Sequence, residues 1–248
     1  MPERDTPPLP STAQASLRWT GLAGAATALY LARAASAAGG PLLVVTRDAA
    51  AAARLEEELG FFASPDVPVL AFPGYETLPY DQFAPHPDII SQRLRALARL
   101  PALRRGLVLV DLPTVLQRLP PRTFIDGHAL SLRTGEALDL EKFRLRLTSA
   151  GYASVPQVGE PGDFAIRGSL FDVFPMGSDS PLRIDLFDDE IDSIRSFDAE
   201  TQRSIDRLER LDLLPAREFS LSPESIKDFR RRFRTRFQGD LTRMPLYR

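Results

Sequence analysis

The residues whose types and spacing carry the most pointed chemistry lie between Ile166 and Phe197, IRGSLFDVFPMGSDSPLRIDLFDDEIDSIRSF. In Leu182-Arg183-Ile184-Asp185-Leu186-Phe187 the side chains alternate. A strand therefore puts Leu182, Ile184 and Leu186 on one face and Arg183, Asp185 and Phe187 on the other. The first set is material for a core. The second places a large aromatic beside an arginine on the face that meets water, a pairing that suits a protein interface. The alternative is that Arg167 and Arg183 are ordinary surface charges and Phe187 is partly covered by a neighbouring strand. Upstream, Arg167 to Phe174 reads as a strand buried on both faces except at Asp172. Pro175 to Pro181 then supplies the Pro, Gly, Ser and Asp of a turn, so the two strands make a hairpin. A third strand, Glu190 to Phe197, follows the acidic corner Asp188-Asp189.

Four other constellations could do chemistry. Thr20 to Thr27, TGLAGAAT, stands where a phosphate-binding loop would open the first helix. A working loop needs glycines that let backbone amides approach the phosphates, a lysine opposite the transferred phosphate, and a Ser or Thr on magnesium. Gly21, Gly24 and Thr27 fit such a loop, but Ala25 replaces the second required glycine and Ala26 replaces the lysine. The segment is then an ordinary helix start or a relict of such a loop, and in either case non-catalytic. The two histidines, His86 and His128, give little material for a triad or a multi-histidine metal site, and structural or solvent-facing roles are expected. Asp185, Asp188, Asp189, Glu190 and Asp192 could attract magnesium. Adjacent strand residues point to opposite faces, however, so a solvated turn is the simpler reading. In Ser222 to Phe237, Arg230, Arg231, Arg232, Arg234 and Arg236 are interleaved with Phe229, Phe233 and Phe237. This helix could bind nucleic acid, but the phenylalanines recur every four residues and form one apolar stripe, a core face or one left exposed by truncation.

The elements that must position these residues follow from pattern. Pro2 to Ser11 is polar and proline-rich, an unstructured lead-in. The alanine-rich Gly21 to Ala38 predicts a helix ended by Gly39-Gly40-Pro41. Leu42 to Val45 predicts a buried strand, after which Asp48 caps a helix through about Leu59, and Val67 to Phe72 a further strand. A helix from about Ile89 to Arg104 leads into the strand Gly106 to Asp111 and a short helix near Pro113. Continuous apolar strands alternating with helices argue for a parallel sheet covered on both faces. Beyond Leu119-Pro120-Pro121 the character changes: a strand around His128 to Arg133, a helix from Asp139 to Ser149 stopped by Gly151, then the hairpin. Thr201 to Leu213 fits strand or helix by pattern alone, and strand is the expectation. This second region reads as a compact α+β domain from roughly Asp126 to Leu214.

Composition narrows the function classes. A formal net charge of −2 gives no global attraction to a polyanion, and the absence of cysteine removes disulfides, thiol nucleophiles and cysteine-based metal sites. No apolar run approaches the roughly 18–20 residues of a membrane span, and Met1 to Asp5 lacks the layout of a signal peptide, so a cytoplasmic protein is expected.

Several longer motifs sharpen this picture: Tyr75-Glu76-Thr77-Leu78-Pro79-Tyr80-Asp81, Ser91 to Leu94 within PHPDIISQRL, Asp126-Gly127-His128-Ala129-Leu130, Arg167-Gly168, Phe174-Pro175-Met176-Gly177-Ser178, Phe187 to Ser193 and Leu213-Leu214-Pro215-Ala216. By these the chain resembles the N-terminal region of bacterial transcription-repair-coupling factors (Mfd), the part that is itself similar to the excision-repair protein UvrB. The motifs are spread through residues 70–216, and the first 65 residues resemble the family mainly in layout.

The resemblance implies an α/β fold. After a lead-in over residues 1–16 it expects a degenerate RecA-like parallel-sheet domain over 17–125, an inserted small α+β domain over 126–214, and the start of a return to the first domain over 215–248, cut short. It implies that the inserted domain docks the damage-recognition ATPase UvrA, with Arg167, Arg183 and Phe187 as the contacting positions. Between Tyr75 and Ile89 there is no room for the long hairpin with which UvrB grips damaged DNA. The whole family member is an ATP-driven translocase that displaces stalled RNA polymerase. Its polymerase-binding and motor domains, with their ATP and magnesium, have no counterpart here. The chain is then expected to be a fragment without catalysis or cofactor of its own, meeting RNA polymerase and DNA only through parts it lacks. The rival readings are a UvrB-like nucleotide hydrolase and a DNA-binding fragment.

Overall fold

The computed structural model describes residues 7–12, 14–78, 81 and 83–237, a mixed α/β protein in two compact units. One unit holds the residues up to 74 with 99–118, the other holds 75–98 with the residues from 119 on. Among the described residues no helix is long and apolar enough to cross a membrane.

The first unit runs α1 (Ala26–Ala37), β1 (Pro41–Thr46), α2 (Ala49–Phe62) and β2 (Val69–Phe72). After α3 (Pro87–Arg99), nearly all of which lies in the other unit, it ends with β3 (Gly106–Asp111) and the single turn α4 (Leu112–Val115). Its three strands form a parallel sheet in the order β1-β3-β2. Alanines 28, 32 and 35 of α1 and Leu55 and Leu59 of α2 pack on Leu107 and Leu109 of β3, the small residues letting the helices sit close. The expected cap is present, the Asp48 carboxylate accepting from the Ala51 amide at 2.8 Å. Gly106 adopts a φ of 137°, and a side chain there would collide with the Pro68 carbonyl, which accepts the neighbouring Leu107 amide.

The second unit adds α5 (Arg122–His128), β4 (Leu130–Arg133), α6 (Leu140–Ser149), β5 (Ala153–Ser154), β6 (Asp163–Arg167), β7 (Leu170–Val173), β8 (Leu182–Phe187), β9 (Glu190–Phe197), β10 (Ser204–Leu208), β11 (Arg210–Leu213) and α7 (Pro223–Arg236). Six strands form one sheet in the order β10-β9-β8-β7-β6-β5, antiparallel but for β5, while β4 and β11 pair separately. Phe164, Phe171, Ile184 and Ile194 line the inner face of the large sheet in one core with Leu94 of α3, Ile125 of α5, and Phe143 and Leu147 of α6. One side of the sheet is apolar and turned to helices; the other carries the charged residues beside a small second cluster of Val158, Ala165 and Phe197.

The observed elements depart from the pattern in several places. β1, expected to be buried in a sheet covered on both faces, alternates instead and leaves Leu43 and Val45 exposed. Residues 122–128 are helical, although Gly127 and the short length hide the periodicity; His128 closes this helix rather than opening a strand. The upstream hairpin strand, expected from Arg167 to Phe174, starts only at Leu170 as β7, Arg167 ending a separate strand β6 joined to it through Gly168 at a φ of 62°. Residues 21–25 precede α1 instead of belonging to it, and α3 stops at Arg99. A further departure is at Asp172, taken up below.

A buried polar knot holds α3 within the second unit. Arg93, fully buried, donates from Nε to Glu218 at 2.5 Å and stacks its guanidinium 3.9 Å from the centre of the Tyr75 ring. The Tyr75 hydroxyl donates to the same carboxylate at 2.8 Å. Burial, and then this hydrogen bond, push the Tyr75 phenol up to about 12. Two residues earlier on α3, the Ser91 hydroxyl accepts from the Gly177 amide at 2.8 Å.

Candidate protein-binding site

The site is the outward face of the β7-β8-β9 ribbon. Alternation along β8 is realised as read: Leu182, Ile184 and Leu186 are buried, Arg183 and Asp185 are half-buried, and Phe187 is 75% exposed. The β8-β9 connection is the two-residue corner Asp188-Asp189, Phe187 pairing directly with Glu190. Asp188 takes a φ of 56°, a left-handed conformation that Asp tolerates better than most residues. The corner thus holds Phe187 at a tip, where its ring meets water.

Asp172 is the correction to the sequence reading. The strand pattern makes it the wet exception in a buried strand, yet it is 1% exposed. A buried carboxylate needs charge partners, and Asp172 has two. Its Oδ1 accepts from Arg183 Nε at 2.7 Å, and its Oδ2 accepts from Arg183 Nη2 at 2.9 Å and from Arg167 Nη2 at 2.5 Å. Asp172 and Arg183 are direct cross-strand neighbours, so the fork-to-fork geometry is built into the register. Arg183 also lies 4.6 Å over the Phe197 ring and donates to Gln202 Oε1 at 3.3 Å. The hydrogen bonds to Asp172 raise its pKa, so it stays a cation at any ordinary pH.

Arg183 and Arg167 therefore share one buried anion while differing in exposure, the Arg183 side chain at 18% and that of Arg167 at 49%. Arg183 Nη1 donates to nothing among the described residues, which leaves N–H groups for an incoming acceptor. Alongside, Asp185 accepts from Ser193 Oγ at 2.8 Å and from Arg195 Nη2. The structure brings Arg167 and Arg183 together on one carboxylate and sets Phe187 on the same strand as Arg183. Sequence reasoning missed Asp172; a lone acid in an otherwise apolar strand, opposite an arginine in a paired strand, is the signal that could have found it.

The remaining candidates fall elsewhere. Gly21 and Gly24 of the Thr20 to Thr27 segment take positive φ values of 74° and 56°, and Ala25 stands at the helix start without a side-chain cap. Ala26 and Thr27 are the first residues of α1. His86 is exposed with Nδ1 facing the Asp88 amide, and His128 Nδ1 lies 2.9 Å from the Phe124 carbonyl. No group of three acids or histidines among the described residues is arranged to hold a metal ion. In α7, Phe233 is buried between half-exposed Phe229 and Phe237, and Arg231 and Arg232 both pair with Asp228.

Residues 130–219, from β4 to just past β11, match the UvrB interaction domain family. The match lies wholly within the second unit. Over 238 residues, 96% of the chain, the sequence is 43% identical to the transcription-repair-coupling factor of Escherichia coli, and over 198 residues, 80% of the chain, it is 46% identical to that of Haemophilus influenzae. The factor from Staphylococcus aureus is 32% identical over 226 residues, 91% of the chain. The resemblance to transcription-repair-coupling factors that scattered motifs suggest holds along nearly the whole chain. The chain spans about a fifth of these relatives' length, 21%, 17% and 19% respectively.

Proposed function

We propose that this chain is the UvrA-recruiting module of a transcription-repair-coupling factor, acting in the cytoplasm in transcription-coupled nucleotide excision repair and without catalysis in this region. The carrying observation is the outward face of the matched domain, where 75%-exposed Phe187 stands on the same strand as an arginine locked to a buried carboxylate. Phe187 supplies an apolar anchor, and Arg167 and Arg183 supply charge-assisted donors to a partner carboxylate or carbonyl. Nothing in this arrangement breaks or makes a bond, which suits a docking role.

In the same reading the first unit is a degenerate RecA-like scaffold. Its parallel sheet under α1 and α2 is compatible with that, and Ala26 in the lysine place removes the fixed cation that phosphoryl transfer needs. Translocation, ATP with magnesium, and contacts to RNA polymerase and DNA belong to the rest of the longer protein. The test is UvrA binding by folded Arg183→Ala and Phe187→Ala chains. A loss of about tenfold or more in each is expected; undiminished affinity would remove the site. ATP turnover by the purified chain would favour the hydrolase reading instead.

A further inference from the structure

The outward face continues past the residues assigned above. Cross-strand register puts Asp172 opposite Arg183, Arg183 opposite Arg195, and Arg195 opposite Arg207, one row running from β7 to β10. Directly opposed residues of an antiparallel sheet share a face, so three arginines stand side by side, with neighbouring strands about 4.8 Å apart. Like charges in this relation destabilise a sheet. The fold compensates the first two rungs and leaves the third. Arg183 has Asp172, Arg195 has Asp185, and exposed Arg207 has no ion pair among the described residues. With Arg167 the face holds four arginines, and its acids besides these two aspartates, Glu190 opposite Phe187 and Asp163 on β6, lie off the arginine row.

We infer that the row Arg183–Arg195–Arg207 is a docking strip for an acidic protein surface, which extends the partner site from Phe187 toward the edge strand β10. The inference rests on the proposed UvrA-docking reading and adds residues to it. Phe187 anchors one end, and Arg207, being free of an internal carboxylate, offers the partner an attraction that need not break an existing pair. An arginine on an edge strand also discourages strand addition, and a role confined to that would leave partner affinity alone.

The experiment measures UvrA affinity and thermal stability for the chain carrying Arg207→Glu. Arg122→Glu on α5 serves as a control of equal charge change and Phe187→Ala as a control for the site. Arg207→Glu is expected to weaken binding at least fivefold more than Arg122→Glu, with a shallower dependence on salt. It is also expected to raise the melting temperature, because a glutamate opposite Arg195 replaces a repulsion by a pair. Weaker binding with higher stability is a combination that damage to the fold does not produce. Equal effects of the two glutamates would overturn the strip. Should Phe187→Ala bind as well as the parent chain, the underlying docking reading would fail instead; a weakened Phe187→Ala with unaffected Arg207→Glu confines the failure to the strip.

Discussion

Two arginine–carboxylate pairs in the second unit use the same chemistry to opposite ends. In one, Arg93 and Glu218 are both buried, capped by Tyr75, and join residues 125 positions apart. In the other, Asp172 is equally buried, but the arginines on it reach outward and keep N–H groups to spare. A sealed pair has no partner left to find, so it can only hold the fold. A pair closed on the acidic side and open on the basic side holds the arginine rigid before a partner arrives, which spares side-chain entropy at binding. The difference between a staple and a docking fork is thus which member of the pair faces water.

The comparison predicts its own breaking points. Arg93→Ala leaves the Glu218 carboxylate buried without its cation, and should cost about 3–5 kcal/mol of stability by chemical denaturation. Arg183→Ala leaves Asp172 still paired with Arg167, so its stability cost should be clearly smaller, about 1–3 kcal/mol, while its effect on partner binding is the larger of the two. If both substitutions destabilise alike, the distinction between the pairs fails. Phe187→Ala should change stability by no more than about 0.5 kcal/mol, since its ring is exposed, while it costs about 2 kcal/mol of binding.

A further effect is alkaline. The Tyr75 phenol ionises at about 12 in the folded chain against 10.0 unperturbed, so the folded state holds that proton more tightly. The stability it contributes is complete below pH 10 and is lost as pH rises toward 12. Urea midpoints measured along this range should fall in the parent chain, and less steeply in Tyr75→Phe, which has no phenol to ionise.

Much of this architecture was legible because its causes are local. Asp48 caps its helix as read, the helices expected from Asp139 and Ser222 begin one residue after them, β9 spans Glu190 to Phe197 as read, and the alternation in β8 sorts its residues correctly. What stayed hidden depends on pairing across the chain. Asp172 reads as exposed until β7 lies against β8; its burial is decided by arginines 5 and 11 residues away. The Arg93–Glu218 pair has no local signature at all, and Arg195 and Arg207 look like isolated surface charges until β9 and β10 are in register. Strand periodicity tells which face a residue takes, and only register tells which neighbours it meets there.

The central claim is that the face carrying Arg183 and Phe187 docks UvrA. Titration of UvrA with the parent chain and with Phe187→Ala tests it most directly, melting curves confirming that both are folded. Saturable binding by the parent that falls about tenfold or more in the variant is the expected result. Equal affinity of the two chains would contradict it.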